Sequence, residues 1–375
     1  MKVVAAPNAF KGSLSAFEAA AAMAIGIRRA LPKAEVVELP VADGGDGTTE
    51  VLCRARQGQF REAPAVDALG RPLRARYGWL SDATAVMDVA TASGLARLRP
   101  SELEPLSATS FGTGQLLKAA LDAGARRVVL GVGGSASVDG GAGVLEALGA
   151  RLLDEQGRQL ARGGGALAHL TRIDTTRLHP RARSVPLDIA CDVDSPLLGE
   201  HGAARTFGPQ KGATPAMVEQ LELGLGRMSE ILRRDFGRDV ACVRSGGAAG
   251  GIAAGLCAVL DARLVSGIDL VLDTIGFEQA LAGAELCLTG EGRLDQQSLH
   301  DKGPLGVARR ARACGVQVVL LAGEIAENVA LSAFPDLSAM FALRPRALPL
   351  AEAMTHAGQL LEAAVERAVR QALAR

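Results

Sequence analysis

The sequence predicts an α/β protein of two domains, and three observations carry that prediction. At 375 residues the chain exceeds the usual size of one compact domain. A short apolar run, a glycine-rich turn and a helix-like stretch recur along it, which is the grammar of βαβ units. Two regions, residues 60–90 and 151–264, break that rhythm with closely spaced turns. The expected arrangement is a Rossmann-like parallel-sheet domain of residues 1–60, 105–150 and 265–375, with a mixed α/β domain of residues 61–104 and 151–264 inserted into it. A chain that crosses twice between domains forms a cleft, a common place for a ligand site.

The elements follow in order. Residues 3–6 are an apolar run that Pro7 breaks. Ser15-Ala16-Phe17-Glu18 reads as a capping box, in which Ser15 satisfies a helix-start amide and Glu18 reaches back. The alanine-rich helix that follows is expected to end by Pro32. Residues 36–41 read as a second strand, ending in Asp43-Gly44-Gly45-Asp46-Gly47-Thr48. Leu69-Gly70-Arg71-Pro72 has the pattern of a hairpin turn. Residues 128–132 lead into Gly133-Gly134-Ser135 and a helix to Leu145. Residues 286–288 lead into Gly290-Glu291-Gly292 and a helix near 306–313, and residues 316–321 lead into Ala322-Gly323-Glu324. A final helix is expected from Leu350 to the C-terminus, with Met354, Leu361, Val365, Ala368 and Leu373 as an apolar stripe that packs on the sheet.

Composition removes several function classes. Lys+Arg and Asp+Glu are both 41, so there is no basic excess to hold nucleic acid or an anionic membrane. The longest apolar runs, residues 19–27 and 252–260, are about half of what a membrane span requires. The six cysteines are scattered without metal-ligand spacing, which predicts reduced thiols and a cytoplasmic location. Met1-Lys2 runs straight into the first strand, so no signal peptide is expected. Aromatic residues are only 3%, so the core must be filled by Ala, Val, Leu and Ile.

The chemistry lies in polar-glycine clusters at the carboxyl ends of the predicted strands, the edge where open α/β sheets bind ligands. Glycines let backbone amides approach an anion, and a following helix N-terminus adds positive potential. These turns hold Asp43, Asp46, Asp139, Asp192, Glu291 and Asp295, and carboxylates beside phosphate-type loops suggest Mg²⁺. Each cluster also has a plainer reading. The Gly133–Ser135 turn lacks the Lys-Ser/Thr of a P-loop and is not a dinucleotide fingerprint. The glycines of residues 246–251 can serve close helix packing as well as a phosphate or adenine contact. Asp43 and Asp46 can cap a turn. Glu291 and Asp295 can pair with Arg293, and Lys11 and Lys211 can be solvated. The five histidines are isolated in sequence, and none is assigned to a metal.

Together the clusters resemble the glycerate kinase type I family over essentially the whole chain. The resemblance rests on residues 6–14 (Ala-Pro-Asn-Ala-Phe-Lys-Gly-Ser-Leu), 41–48, Ala92-Ser93-Gly94-Leu95, Thr109-Ser110-Phe111-Gly112-Thr113-Gly114 and 133–141. It continues through Ala190-Cys191-Asp192-Val193, residues 207–213, Ala248-Ala249-Gly250-Gly251, residues 289–295 and Gln297-Ser298. It implies two α/β domains with the active site between them, ATP and Mg²⁺ as cofactors, and glycerate as acceptor. The chain departs from the family pattern at Asn8-Ala9, usually Asp-Ser, and at Asp46, often Glu. It departs again at Val138 and Ser195, usually Asn, and at Asp301, usually Gly. The carboxylate absent at Asn8 points to a shifted acceptor preference.

Phosphoryl transfer needs an aligned acceptor, charge neutralisation and a group that takes the hydroxyl proton. The expected base is Asp192, then Asp295, with Lys11 and Lys211 neutralising phosphoryl charge. Glu291 and Asp295 are expected at Mg²⁺, and Gly133, Gly134, Ser135, Gly247, Gly250 and Gly251 at ATP. Asp43, Asp46, Ser110, Arg293 and Ser298 are the expected substrate contacts, Arg293 or the 107–114 turn clamping the glycerate carboxylate. The product implied is 2-phosphoglycerate. Transfer to the 3-hydroxyl or to another small hydroxy acid stays open, as does a homodimer. Two rivals from other classes are a non-catalytic sugar-acid sensor, for which no helix-turn-helix or basic arm is found, and a nicotinamide-dependent dehydrogenase, for which no clean fingerprint is found.

Overall fold

A computed structural model describes residues 1–294, 303–345 and 347–373. The chain forms two compact units, residues 1–43 with 267–375, and residues 44–266.

The first unit opens with β1 (Lys2–Ala5), α1 (Ala16–Ala30) and β2 (Glu35–Glu38). α1 begins on the expected capping box: the Ser15 hydroxyl accepts the Glu18 N–H at 3.2 Å, and Glu18 Oε2 accepts the Ser15 N–H at 2.8 Å. The second unit follows with α2 (Thr48–Ala55), β3 (Gln59–Val66), β4 (Pro72–Trp79), β5 (Thr84–Asp88), α3 (Ala90–Ser93), α4 (Phe111–Asp122) and β6 (Arg127–Gly131). It continues with α5 (Ala142–Ala147), β7 (Arg151–Leu153), β8 (Arg172–Asp174), β9 (Leu187–Ala190), α6 (Ala203–Phe207), α7 (Pro215–Phe236), α8 (Ala248–Leu260) and β10 (Arg263–Val265). The chain returns to the first unit through α9 (Gly267–Ile275), α10 (Phe277–Leu281), β11 (Ala284–Leu294), α11 (Gly303–Ala313), β12 (Gln317–Ile325), β13 (Ala339–Ala342), α12 (Leu350–Thr355) and α13 (Ala357–Leu373).

The sheet of the first unit has the order β13-β12-β11-β1-β2 and is parallel throughout. Its central strands are apolar on both faces, as a sheet covered by helices demands: Val3, Val4, Cys287, Leu288, Val318 and Leu320 are all buried. α13 packs on α1, and Leu361, Val365 and Ala368 join Met23 and Ile27 in one core. The expected single terminal helix is interrupted at His356, and Met354 is 38% exposed rather than part of the stripe. The side chain of Leu373 lies outside the described part.

The sheet of the second unit has the order β10-β9-β6-β5-β4-β3. Strands β10, β9, β6 and β5 run parallel, and β4 and β3 are antiparallel, joined by the expected hairpin at Asp67–Arg71. Asp67 closes that turn by accepting the Leu69 and Arg71 amides, both at 2.9 Å. A separate antiparallel pair, β7 and β8, completes the strands.

The expected division assigns residues 44–60 and 105–150 to the parallel-sheet domain of the first unit, whereas the structure places both in the second unit. The reason is pairing: β6 has the apolar, glycine-ended form of any buried parallel strand, but its partners are β5 and β9. Among the described residues, no helix is long and apolar enough to cross a membrane.

Candidate active site

In the first unit, Asn8 and Lys11 follow the carboxyl end of β1, Asp43 follows β2, and Glu291 and Arg293 stand in the last residues of β11. The backbone pairing continues beyond β1, with Ala6 N–H donating to Leu288 O at 2.7 Å and Asn8 N–H to Gly290 O at 2.9 Å. This places Asn8, 9% exposed, where its Nδ2 donates to Asp43 Oδ2 at 3.0 Å. The start of α11 faces the same pair: a Cβ at Gly303 would stand 2.7 Å from Asn8 Nδ2 and 3.2 Å from Asp43 Oδ2. Lys11 is exposed, and its backbone lies against Gly292, between the half-buried Glu291 and the exposed Arg293. Glu291 pairs in register with Ala322 of β12, and Arg293 with Glu324. The structure therefore groups Lys11, Asp43, Glu291 and Arg293 on one edge of one sheet. Asp295 and Ser298, like His300 and Asp301, lie outside the described residues.

In the second unit, the 44–48 turn lies over the carboxyl ends of β6 and β9. Gly133 N–H donates to Gly44 O at 3.0 Å, and the Asp46 carboxylate sits beside Gly134. Gly134 has φ +69°, and a Cβ there would come within 2.6 Å of Asp46 Oδ1, so both conformation and space call for glycine. Asp192 follows β9 by two residues and is half-buried.

Lys211 reaches the same loop from the short turn Pro209–Lys211. Its Nζ donates to Ser135 Oγ at 2.8 Å and to Ser137 O at 2.6 Å. It is 3% exposed, and burial pushes its ammonium pKa down to about 7, against a weaker opposing pull from the Asp139 carboxylate. The glycines before and within α8 close the other side. Ala249, Gly250 and Gly251 are left-handed in succession, Gly140 N–H donates to Gly250 O at 2.9 Å, and a Cβ at Gly250 would stand 2.2 Å from Ser137 O. Gly251 packs on Gly140 and Leu197, while Gly247 packs on Pro196, four residues after Asp192. Asp46, Gly133, Gly134, Ser135, Lys211, Gly250 and Gly251 thus share one loop cluster.

Ser110 is placed differently from its expected role as a substrate contact. It is fully buried, its hydroxyl donates to Asp139 Oδ2 at 2.8 Å, and it accepts the Val144 N–H at 3.1 Å. Asp139 in turn accepts the Ser110 and Gly143 amides at 2.8 and 3.2 Å, so this pair braces the start of α5. Sequence reasoning passed over Asp88, the last residue of β5, whose signal was a lone acid ending an apolar run. An open surface groove of about 770 Å³, lined by Asp154, Arg158, His169 and Arg227 among others, takes in none of the candidate residues.

Hard oxygen donors suit Mg²⁺, which keeps several waters and shares phosphate oxygens rather than needing an all-protein cage. Glu291 fits such a limited role. Among the described residues, no three His, Cys, Asp or Glu side chains converge as a metal site.

Comparison with known proteins agrees over the full length. The sequence model of the glycerate kinase family matches residues 3–373. A glycerate kinase of Bacillus subtilis (strain 168) is 44% identical over 363 residues, covering 96% of this chain and 95% of that protein. A glycerate 2-kinase of Escherichia coli (strain K12) is 42% identical over 344 residues, covering 92% and 90%. A crystal structure assigned as glycerate kinase 2 from Salmonella typhimurium LT2 superposes with a TM-score of 0.83 at 41% identity, covering 100% of this chain and 98% of that one. With this fold, these loop clusters and relatives of this length and identity, the chain belongs to the glycerate kinase family, a family of kinases.

Proposed function

We propose that this chain transfers the γ-phosphoryl group of ATP directly to D-glycerate, in line, to give 2-phosphoglycerate. Lys211 carries this reading. It is a buried ammonium set against a glycine loop at the carboxyl edge of parallel strands, with two of its three donors engaged. A polyanion arriving there favours the charged ammonium and draws it back toward its ordinary pKa.

The remaining roles follow from residue chemistry. Asp192 accepts the proton of the attacking hydroxyl, with Asp295 as the second candidate base. Lys11 and Lys211 offset charge on the moving phosphoryl group. Arg293 presents a fork of donors to the glycerate carboxylate, and Asp43, Asp46 and Ser298 orient its hydroxyls. The Gly133–Ser135 turn and Gly247, Gly250 and Gly251 offer backbone amides and space to the ATP phosphates. Glu291 and Asp295 would hold Mg²⁺, which when bound neutralises charge on the β- and γ-phosphate oxygens.

The test is a coupled assay with ATP, Mg²⁺ and D-glycerate, read through enolase, which accepts 2-phosphoglycerate and not the 3-isomer. A Mg²⁺-dependent signal supports acceptor, position and donor together. ADP release without an enolase signal moves transfer to the 3-hydroxyl. No ADP with glycerate overturns the acceptor, and a panel of small hydroxy acids then identifies the replacement that the Asn8–Asp43 pair admits.

A further inference from the structure

Helix α2 starts without a local side-chain cap. Its N-cap residue is Gly47, which has no side chain to cap the first turn. Buried amides at a helix start require a partner, and Thr49 is 6% exposed. That partner comes from 39 residues along the chain: both carboxyl oxygens of Asp88 stand 3.2 Å from the Thr49 nitrogen and accept its N–H. Burial holds the Asp88 carboxyl up at about 7, and the neighbouring Asp46 charge adds to the rise. Asp88 pairs in register with Gly131, the last residue of β6 before the Gly133–Ser137 loop departs. The turn that Asp88 holds bonds that loop through Gly44 O and carries Asp46, whose carboxylate lies beside Gly134.

We propose that Asp88 is a positioning residue of the acceptor site: by capping α2 from β5 it fixes the 44–47 turn, and with it the Asp46 carboxylate, against the loop after β6. The proposal rests on the reading of Asp46 as a substrate contact. Asp88 itself is buried and acts through Asp46 rather than on glycerate.

The experiment uses the full chain as wild type, D88A, D88N, D46N and the D88A/D46N double variant. It measures kcat, KM for glycerate, KM for ATP, and hydrogen exchange of the first-turn amides of α2. D88A is expected to raise KM for glycerate about tenfold, leave KM for ATP within about twofold, and speed exchange at Thr49. D88N keeps an oxygen that accepts the Thr49 N–H, and should restore most of the glycerate KM. In the D46N background, D88A should add little, because both changes remove the same contact. Equal changes in both KM values, or multiplying effects of D88A and D46N, overturn the proposal. Unchanged exchange in D88A overturns it without any activity being needed, whereas absent glycerate turnover in wild type strikes the functional reading instead. Should D88A not fold, D88S against D88N carries the same comparisons.

Discussion

Lys211 Nζ donates to the Ser135 hydroxyl at 2.8 Å from a nearly water-free position. One side chain thus braces the loop after β6, where the proposed function has it offset phosphoryl charge. Replacing it with methionine keeps the bulk and removes the charge, so Lys211→Met should lower kcat by about 100-fold or more. The folded pKa near 7 lies below the unfolded value of about 10.4, so between them only the unfolded chain holds the proton. Stability contributed through Lys211 therefore rises as pH goes from about 7 to about 10. Urea unfolding at both ends of that window should show the rise in wild type and its absence in the methionine variant.

Asp88 has the opposite sign. Its folded pKa, about 7, lies above the ordinary carboxylate value, so the folded state holds a proton that the unfolded chain has lost. Its contribution to stability is full below about pH 4 and is lost as pH rises through about 7. Asp88→Asn carries no titrating proton, so thermal unfolding across that range should give a flatter profile than wild type.

Asp192 is half-buried just past the carboxyl end of β9, so replacing it opens no core, and under the proposed function it removes the base. Asp192→Asn should cut kcat by about 10²–10⁴-fold. Circular dichroism and Tm should stay near wild type, and near-normal turnover would remove Asp192 from the base role.

Gly250 has φ +69° and faces Ser137 O, so an added methyl group meets both backbone strain and a clash. Gly250→Ala should cost about 2 kcal/mol or more in denaturant unfolding. KM for ATP should rise as well, because Ser137 O also receives Lys211.

Asn8 donates to Asp43 at 3.0 Å. Asn8→Asp replaces that hydrogen bond with two carboxylates facing each other, which raises the pKa of one of them. The variant should lose about 1–2 kcal/mol at pH 8 and recover it as pH falls, since protonation removes the repulsion. Added Mg²⁺ should recover part of it at pH 8, a result read by differential scanning fluorimetry.

The capping box at Ser15, the hairpin at Asp67–Arg71 and the glycine turn after β6 were legible in the sequence, because each is set by residues within a few positions of one another, whereas Gly290-Glu291-Gly292, expected as a turn, continues β11 in register with β12. So was the family, since many short motifs recur in one order along the chain. Ser110 was legible as part of a motif but not as a buried brace, because its partner Asp139 is 29 residues away. Asp88 was legible only as a lone acid ending an apolar run, because the helix it caps lies 39 residues earlier.

The sequence by itself determined the α/β class, the parallel strands, the glycine-rich turn after β6 and the kinase family, all of which rest on local periodicity and short motifs. Only the tertiary structure decided that β6 pairs with β5 and β9, so that residues 44–266 form one unit. It alone brought Lys211 to Ser135 across 76 positions and Asp88 to Thr49 across 39. The physical reason is that a buried strand or a buried polar group must find a partner, and local residue pattern states the need without naming which distant segment meets it.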